Sequence, residues 1–252
     1  MSGQLYGVHP VLEALRAGDR RVERIILVKG RHGGEIEELV RLARAQRIPF
    51  TFETRGVVDR AAGTDKHQGV LAKVAARAYV GLDEILARAQ AGGRPPLVVV
   101  LDHVEDPRNL GAVLRTADAA GVHGVVIPHR RSAGLTESAA KTAAGAAEHV
   151  LVAREVNLGQ SLARLKDAGL WIFGLDAGGR RNYTEADLRG PIAFVAGGEG
   201  RGLGSVVRKA CDDLLLLPMS GSIRSLNVSV AVAVACYEAV RQRSLSSSPN
   251  VS

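Results

Sequence analysis

The 252-residue sequence has little of what several protein classes require. Its two cysteines, Cys211 and Cys236, are too few for a disulfide framework or a four-thiolate metal site. Aromatic residues make up only 4% of the chain, and no run of about 18 or more apolar residues is available to span a membrane. The first residues also lack the basic start and apolar stretch of a signal peptide. We therefore expect a cytoplasmic protein with no membrane partner.

The residues that most often bind metals or act as thiol nucleophiles are also poorly placed for those roles. The seven histidines show neither H-x-H nor H-E-x-x-H spacing, so no metal site is predicted. Cys236 lies inside the apolar run 230–236, where a cysteine behaves as a small buried hydrophobic residue. Neither metal chemistry nor a catalytic thiol is expected.

Positive charge exceeds negative charge, and most of the excess lies near the N-terminus. The formal net charge is +7. Residues 1–78 contain 14 Lys and Arg against 9 Asp and Glu, whereas residues 95–252 contain 17 against 15. Because neutralisation of phosphates supplies most non-specific nucleic-acid affinity, this distribution favours an RNA-gripping N-terminal module beside a near-neutral catalytic one. An ordinary arginine-rich surface is the alternative.

Apolar runs alternate with helical patterns along most of the chain, which predicts an α/β fold. Residues 1–76 are expected to form a small α/β sandwich, with strands at 24–28, 49–53 and 70–74. Glycine and proline become dense at 91–96, so residues 77–95 are predicted to be a linker containing a short amphipathic helix. Residues 96–243 should form a mostly parallel sheet covered by helices on both faces. The serine-rich segment 244–252 is expected to be disordered.

Three separated segments, 101–117, 194–203 and 217–229, carry polar side chains where predicted strands end. Ligands bind at such strand ends in open α/β sheets. In the first segment Asn109 is expected at a helix N-cap. Arg115, six residues on, points roughly opposite to Asn109 around the helix axis and reaches a site only through its long side chain. A cap and a solvated arginine would explain these two residues without any function.

The second segment contains Gly-Gly-Glu-Gly-Arg-Gly at 197–202. A dinucleotide-binding loop requires G-x-G-x-x-G followed by an acid at the end of the next strand. That spacing is absent here, and Glu199 would repel a phosphate. In the third segment, Ser225 or Asn227 can cap the final helix. Taken singly, each segment also has a purely structural explanation.

Together, in this order, the three segments resemble the signature motifs of the SpoU (TrmH-type) family of RNA ribose 2'-O-methyltransferases, within the SPOUT superfamily. Residues 5–15 and 67–70 are similar to the N-terminal substrate-binding domain of one branch, the large-subunit (23S) ribosomal RNA guanosine 2'-O-methyltransferases. The resemblance covers nearly the whole chain apart from the tail. No motif position departs from the family pattern.

The resemblance implies an L30e-like N-terminal domain joined to a SPOUT domain with a deep C-terminal trefoil knot, a homodimer, and S-adenosylmethionine as the cofactor. The residues implied to hold the cofactor are Gly197, Leu217, Met219 and Leu226. Those implied to form the catalytic and RNA-contacting set are Asn109, Arg115, Glu199, Ser225 and Asn227. Because a guanidinium holds its proton strongly, Arg115 is expected to stabilise the developing alkoxide or anchor a phosphate, and direct base action is the alternative. Glu199 is expected to orient Arg115 or the ribose.

The function implied is transfer of a methyl group to a ribose 2'-hydroxyl, with a guanosine of 23S ribosomal RNA as the first expectation. A second interpretation keeps the chemistry but places it on transfer RNA or on another ribosomal RNA site, including resistance-type methylation. A third is a non-catalytic RNA-binding factor in ribosome assembly.

Overall fold

The computed structural model describes residues 3–17, 22–74, 79–222 and 225–246, and the chain divides into two compact units, Met1–Ala78 and Tyr79–Ser252. The elements of the first unit are β1 (Gly3–Tyr6), α1 (Val8–Ala17), β2 (Val22–Val28), α2 (Gly34–Ala45), β3 (Phe50–Glu53), α3 (Arg55–Ala62) and β4 (Val70–Val74). Its four strands are ordered β1-β4-β2-β3. Only the β2–β3 pair is parallel, and β3 is an edge strand.

The central strand β2 is buried on both faces, which explains why helices cover both sides of this sheet. Ile25 and Leu27 face α1 and α2, whose buried residues include Leu39. Ile26, between them, faces the opposite side and packs with Val58 of α3. Because side chains alternate along a strand, one run of consecutive apolar residues supplies both layers of the core.

The second unit contains a seven-stranded sheet. Its elements are α4 (Leu82–Ala91), β5 (Leu97–Asp102), α5 (Pro107–Ala119), β6 (Gly124–Pro128), α6 (Glu137–Ala143), β7 (Leu151–Glu155), α7 (Leu158–Asp167), β8 (Trp171–Leu175), β9 (Arg181–Asn182), β10 (Ile192–Gly197), α8 (Ser205–Ala210), β11 (Asp213–Leu216) and α9 (Val228–Ser246). The strand order is β7-β6-β5-β10-β8-β11-β9, and every neighbouring pair is parallel. The prediction of a mostly parallel sheet is confirmed.

Helices cover this sheet on both faces. Helices α5, α6 and α9 pack on the face that carries Val99, Leu101 and Phe194. Helices α4, α7 and α8 pack on the face that carries Val100 and Val195. Since all strands run the same way, the carboxyl ends of β5, β10 and β11 lie along one edge of the sheet, which is where the three motif segments leave the strands.

The boundary between the two units differs from the predicted one. The sequence predicted a linker over 77–95, whereas in the structure the second unit begins at Tyr79. Helix α4 buries Leu82 and Ile85 within the second unit, and Val80 forms a parallel bridge with Ala153. The described part of that segment is therefore packed into the second unit, because its amphipathic helix has an apolar face to bury. Residues 77–78 lie outside the described ranges. At the other end, the sequence predicted a disordered tail from residue 244, but α9 extends to Ser246, so the prediction is wrong for 244–246; residues 247–252 lie outside the described ranges.

Candidate active site

The first motif segment forms the turn from β5 into α5, and its N-cap is Asp106 instead of Asn109. The Asp106 side chain accepts a hydrogen bond from the Arg108 N–H at 2.8 Å, and Pro107 occupies the first helical position. The N-cap prediction for Asn109 is therefore wrong. Proline suits the first turn because it has the required φ and no N–H to satisfy. This shift places Asn109 in the first turn of α5, with its amide available for other contacts.

The second segment folds into a tight glycine loop at residues 197–204, pressed against the end of β5. A Cβ on Gly198 would lie 2.1 Å from the His103 carbonyl oxygen, and a Cβ on Gly197 would lie 2.1 Å from the Gly202 carbonyl carbon. Gly200 and Gly202 have positive φ values of 79° and 62°. Close backbone approach and left-handed conformation both require glycine. The loop thereby presents the exposed Glu199 beside the start of α5.

Asp102 secures this loop, and sequence reasoning did not select it. Its side chain is fully buried, and Oδ2 accepts the Gly204 N–H at 2.7 Å. Its Oδ1 lies 2.5 Å from Nδ1 of His103, a residue with a positive φ of 58°. An aspartate that ends an apolar strand is the signal that could have identified it, because a buried carboxylate requires partners.

Residues from all three segments meet in one hydrogen-bonded cluster of Asn109, Glu199 and Asn227. Glu199 Oε1 accepts hydrogen bonds from Nδ2 of Asn109 and Nδ2 of Asn227, each at 3.0 Å. Asn227 Nδ2 also donates to Asn109 Oδ1 at 2.9 Å. These side chains, up to 118 positions apart in sequence, therefore form a closed triangle at the carboxyl edge of the sheet.

Asn227 also caps the start of the last helix, and it is one of the two candidates, Ser225 and Asn227, that the sequence left open for this cap. Its Oδ1 accepts hydrogen bonds from the Ser229 N–H at 2.9 Å and from the Ser229 hydroxyl at 2.6 Å. The amide nitrogen remains free to reach Glu199, so one side chain caps α9 and fixes the cluster. Ser225 is exposed two residues earlier and forms no side-chain hydrogen bond with a described residue.

Arg115 is exposed on α5 and does not join the cluster in its own chain. Within the described ranges, no hydrogen bond or ion pair links it to Glu199, which instead contacts two amides. Arg115 opens onto a groove of about 390 Å³ between α5, α6 and α9. The other residues lining that groove are Ala112, Thr116, Ala119, Thr142 and Tyr237.

An ion pair between Arg108 and Asp106 lies at the start of α5, next to Asn109. The Arg108 guanidinium donates to Asp106 and holds the pKa of that carboxyl below its usual value. The pKa of Arg108 is raised, mainly by Asp106 and to a smaller extent by Glu199. Arg108 therefore stays cationic, and its charge is balanced locally by Asp106, with a smaller interaction from Glu199.

The positions predicted to hold a cofactor lie at the ends of β10 and β11 and just before α9. Leu217 is 8% exposed and Met219 packs on the same core cluster, whereas Leu226 is 40% exposed. In the described part of the chain, no hydrogen bond uses the backbone N–H or C=O groups of residues 217–219 or 225–226. These segments thus combine apolar side chains with backbone groups that accept or donate no hydrogen bond among the described residues, the pattern suited to an amphipathic ring.

Cysteine and metal chemistry were not expected from the sequence. Burial raises the pKa of Cys236 to about 12, and this residue is fully buried, as predicted. Within the described ranges, no group of three His, Cys, Asp or Glu side chains is arranged to hold a metal ion. None of the described helices is both long and apolar enough to cross a membrane.

The chain matches two family models over most of its length. Residues 96–237 match the SpoU rRNA Methylase family, and residues 4–80 match the model for RNA 2'-O ribose methyltransferase substrate binding. The second match covers nearly all of the first structural unit, and the first lies within the second unit.

Individual proteins that are similar to this chain also carry methyltransferase names. The chain is 40% identical over 242 residues to the 23S rRNA (guanosine-2'-O-)-methyltransferase RlmB of Shewanella oneidensis, covering 95% of this chain and 97% of that one. It is 41% identical to the putative TrmH family tRNA/rRNA methyltransferase YacO of Bacillus subtilis, covering 94% of both. The crystal structure of the SpoU methyltransferase AviRb from Streptomyces viridochromogenes, in complex with the cofactor AdoMet, superposes with a TM-score of 0.82 at 24% identity, covering 96% of this chain and 90% of that chain.

Proposed function

We propose, since the chain belongs to the SpoU rRNA methylase family, that it transfers a methyl group from S-adenosylmethionine to the ribose 2'-hydroxyl of a guanosine in 23S ribosomal RNA. The observation that carries this proposal is the triangle of Asn109, Glu199 and Asn227, which joins the three motif segments. The relatives that carry the guanosine 2'-O-methyltransferase name align with nearly the whole chain, N-terminal unit included. This full-length likeness favours ribosomal RNA over transfer RNA.

The residues at the strand ends fit the proposed cofactor. Backbone groups at 217–219 and 225–226 that make no hydrogen bond with a described residue can bind the edge of an adenine, and Leu217, Met219 and Leu226 supply apolar contacts for its faces. The close approach of Gly197 to Gly202 shapes the neighbouring wall. When bound, S-adenosylmethionine supplies an electrophilic methyl group on a sulfonium. Ser225 is exposed at the start of the segment 225–226, two residues before Asn227, where its hydroxyl can contact RNA.

In this proposal the Asn109–Glu199–Asn227 triangle acts by positioning. Fixing the start of α5, the glycine loop and the start of α9 relative to one another keeps the attacking hydroxyl aligned, and alignment can supply several kcal/mol. Glu199 also retains one carboxylate oxygen, Oε2, that no described side chain contacts. That oxygen can accept a hydrogen bond from the ribose.

Arg115 is proposed to stabilise the negative charge that develops on the 2'-oxygen, and a second copy of the chain brings it to the site. Val230 and Tyr237 are 45% and 51% exposed. They lie seven residues apart, on one face of α9. Tyr237 borders the Arg115 groove. We propose that this face forms the homodimer contact of the C-terminal unit, which places Arg115 of one protomer at the triangle of its partner.

Mixed dimers test this arrangement. Arg115→Ala and Glu199→Ala should each abolish most single-turnover methyl transfer, and mixing the two variants should restore part of the rate because some heterodimers contain one intact site. Tyr237→Asp should convert the protein to monomers in light scattering. A full single-turnover rate for Arg115→Ala would contradict its proposed role, and absence of recovery on mixing would contradict action between protomers.

The trefoil knot and the cellular location remain predictions. The contact between Asn227 and Glu199 brings the segment after β11 against the loop after β10, the part of the chain that a C-terminal knot would involve. The proposed ribosomal RNA substrate supports a cytoplasmic location.

The decisive experiment incubates the purified protein and labelled S-adenosylmethionine with ribosomal and transfer RNA from a strain that lacks the gene. We expect label in 23S RNA, at one guanosine ribose, located by resistance of the adjacent bond to alkaline hydrolysis. Label on a base or in transfer RNA alone would contradict the proposal. Label at a different ribosomal nucleotide would favour the resistance-type alternative, and binding without any label would favour an assembly factor.

A further inference from the structure

A groove of about 570 Å³ lies in the N-terminal unit, between the end of β2, helix α2 and the edge strand β3. Its walls combine exposed cations with an exposed aromatic ring. The residues lining it are Lys29, Gly30, Arg31, His32, Ile36, Glu37, Val40, Arg41, Arg44 and Phe52.

Phe52 is the aromatic residue of this groove, and its ring is 44% exposed. Phe50, two residues earlier on β3, points to the same face of the sheet. The two rings meet edge to face, with centroids 5.9 Å apart at an interplanar angle of 88°. The Arg44 guanidinium carbon lies 5.8 Å from the Phe50 centroid. The Phe52 ring therefore packs against Phe50 on one side, and its exposed surface remains available to a ligand.

The charge of the groove is strongly positive. Lys29, Arg31, Arg41 and Arg44 are exposed cations, whereas Glu37 is the single carboxylate in the lining. Among the described residues, none of these four cations forms an ion pair. Unpaired cations around a concave surface attract a polyanion, because each can neutralise a phosphate.

The backbone of the unit makes room for Arg31. A Cβ on Gly69 would lie 2.6 Å from Arg31 Cδ, and Gly69 has a φ of +76°. The Gly69 N–H donates to Nδ1 of buried His67 at 2.9 Å, and His67 Nε2 lies 2.6 Å from Asp59 Oδ1. His67 and Gly69, two of the residues that carried the family resemblance, thus hold the backbone over which Arg31 packs.

We propose that this groove binds a single-stranded segment of the RNA substrate, with one unpaired base stacked on Phe52 and the flanking phosphates held by Arg31, Arg41 and Arg44. The inference rests on the proposed RNA substrate and adds where and in what form that RNA is bound. An exposed aromatic face suits an unpaired base, since bases within a duplex are already stacked on each other. An acidic peptide would meet the same charges, but it would lack a flat ring to place on Phe52.

The test compares the full chain with its variants in fluorescence anisotropy, using a labelled unstructured RNA oligonucleotide and a perfect RNA duplex of equal length. The variants are Phe52→Ala, Phe52→Trp and the double substitution Arg41→Ala with Arg44→Ala. The control for loss of a cation outside the groove is Arg60→Ala, on α3 at the opposite face of the sheet. Thermal unfolding of every variant verifies that the N-terminal unit remains folded.

We expect Phe52→Ala to weaken single-strand binding about tenfold, and Phe52→Trp to retain the parent affinity, because base–aromatic stacking depends on the ring. The affinity for duplex should change by less than about twofold in Phe52→Ala, since the duplex offers no unpaired base. The double arginine variant should weaken binding of both RNAs and make the salt dependence shallower by about one unit per arginine. Arg60→Ala should behave as the parent. Equal single-strand affinity for Phe52→Ala and the parent would overturn the inference.

Methyl transfer to 23S RNA by the unaltered chain is measured in parallel. If the chain methylates this RNA while Phe52→Ala binds single strands normally, the groove inference fails and the proposed function stands. If binding depends on Phe52 but no RNA is methylated, the proposed function fails and the groove stands.

Discussion

Nδ2 of Asn227 donates a hydrogen bond to Oδ1 of Asn109 across 2.9 Å, although 118 positions separate the two residues in sequence. The contact joins the first turn of α5 to the start of α9. The same Asn227 side chain caps α9 through Oδ1. Loss of Oδ1 is therefore expected to lower stability, whereas loss of the Nδ2 donor is expected to lower activity. That separation allows stability and activity to be tested independently.

Asn227→Asp should keep the helix cap and lose activity. The aspartate retains an oxygen that accepts from Ser229, but it replaces the amide donor with a carboxylate facing Glu199. We expect unfolding free energy within about 0.5 kcal/mol of the parent and methyl transfer lowered about 100-fold through misplacement of the site. Chemical denaturation and single-turnover assays measure the two effects.

Asn227→Ala is the companion variant. It should lose activity as Asn227→Asp does and, in addition, about 1 kcal/mol of stability, because the cap is removed. An aspartate variant with parental activity would contradict the positioning role.

Gly198→Ala should destabilise the glycine loop. Its new Cβ would lie 2.1 Å from the His103 carbonyl oxygen, so the backbone must shift, at a cost of about 1–3 kcal/mol. Methyl transfer should fall as well, because Glu199 follows directly. Gly190→Ala is the matched control, since a Cβ there meets nothing within 4 Å. Equal melting temperatures for the two variants would show that the loop tolerates the displacement.

Arg243→Lys should destabilise the C-terminal unit although it preserves charge. The Arg243 guanidinium donates to four carbonyl oxygens, those of Pro95, Pro96, Leu188 and Gly190, and so ties α9 to the segments preceding β5 and β10. A lysine cannot reproduce this planar fork. We expect a loss of about 2–3 kcal/mol in urea unfolding, because carbonyls are left without their charged donor. The exposed substitution Arg180→Lys is the control and should be neutral.

Glu238 should make stability depend on pH in the acid range. Arg241 and then Gln242 donate to its carboxylate and lower its pKa below the usual 4.5, against the opposing effect of burial. A carboxyl with a lowered folded pKa contributes stability that is complete above the unfolded value and is lost as pH falls through the folded value. Because the Arg241 side chain is 57% exposed, screening limits the contribution to about 1 kcal/mol or less.

The measurement compares urea unfolding of the parent and Glu238→Gln at pH 7, 5, 4 and 3. The parent should be more stable at neutral pH, and the difference should shrink only below the usual carboxyl pKa. A difference that stays constant down to pH 3 would mean that the charge of Glu238 contributes nothing.

Local pattern was sufficient to predict the fold class. Runs such as 97–101 are short and apolar at consecutive positions, which favours a strand buried on both faces, and the helical spacing between such runs favours parallel crossovers. The domain boundary was harder to place. Helix α4 looked like part of a linker because Gly and Pro follow it, but its apolar residues are buried within the second unit.

The apolar runs were enough to predict which residues end the strands, and the spacing of the motifs was enough to identify the family of the chain. Both are local properties of the sequence. The tertiary structure was needed to show that Asp106 caps α5, that Asn109, Glu199 and Asn227 are hydrogen-bonded to one another, and that Arg115 lines a groove with Tyr237 of α9. Neighbouring residues such as Asp106 and Asn109 compete for the same N-cap within one helical turn. Contacts between residues more than a hundred positions apart depend on the order of the strands in the sheet. Neither the outcome of that competition nor the order of the strands is written in any local stretch of the chain.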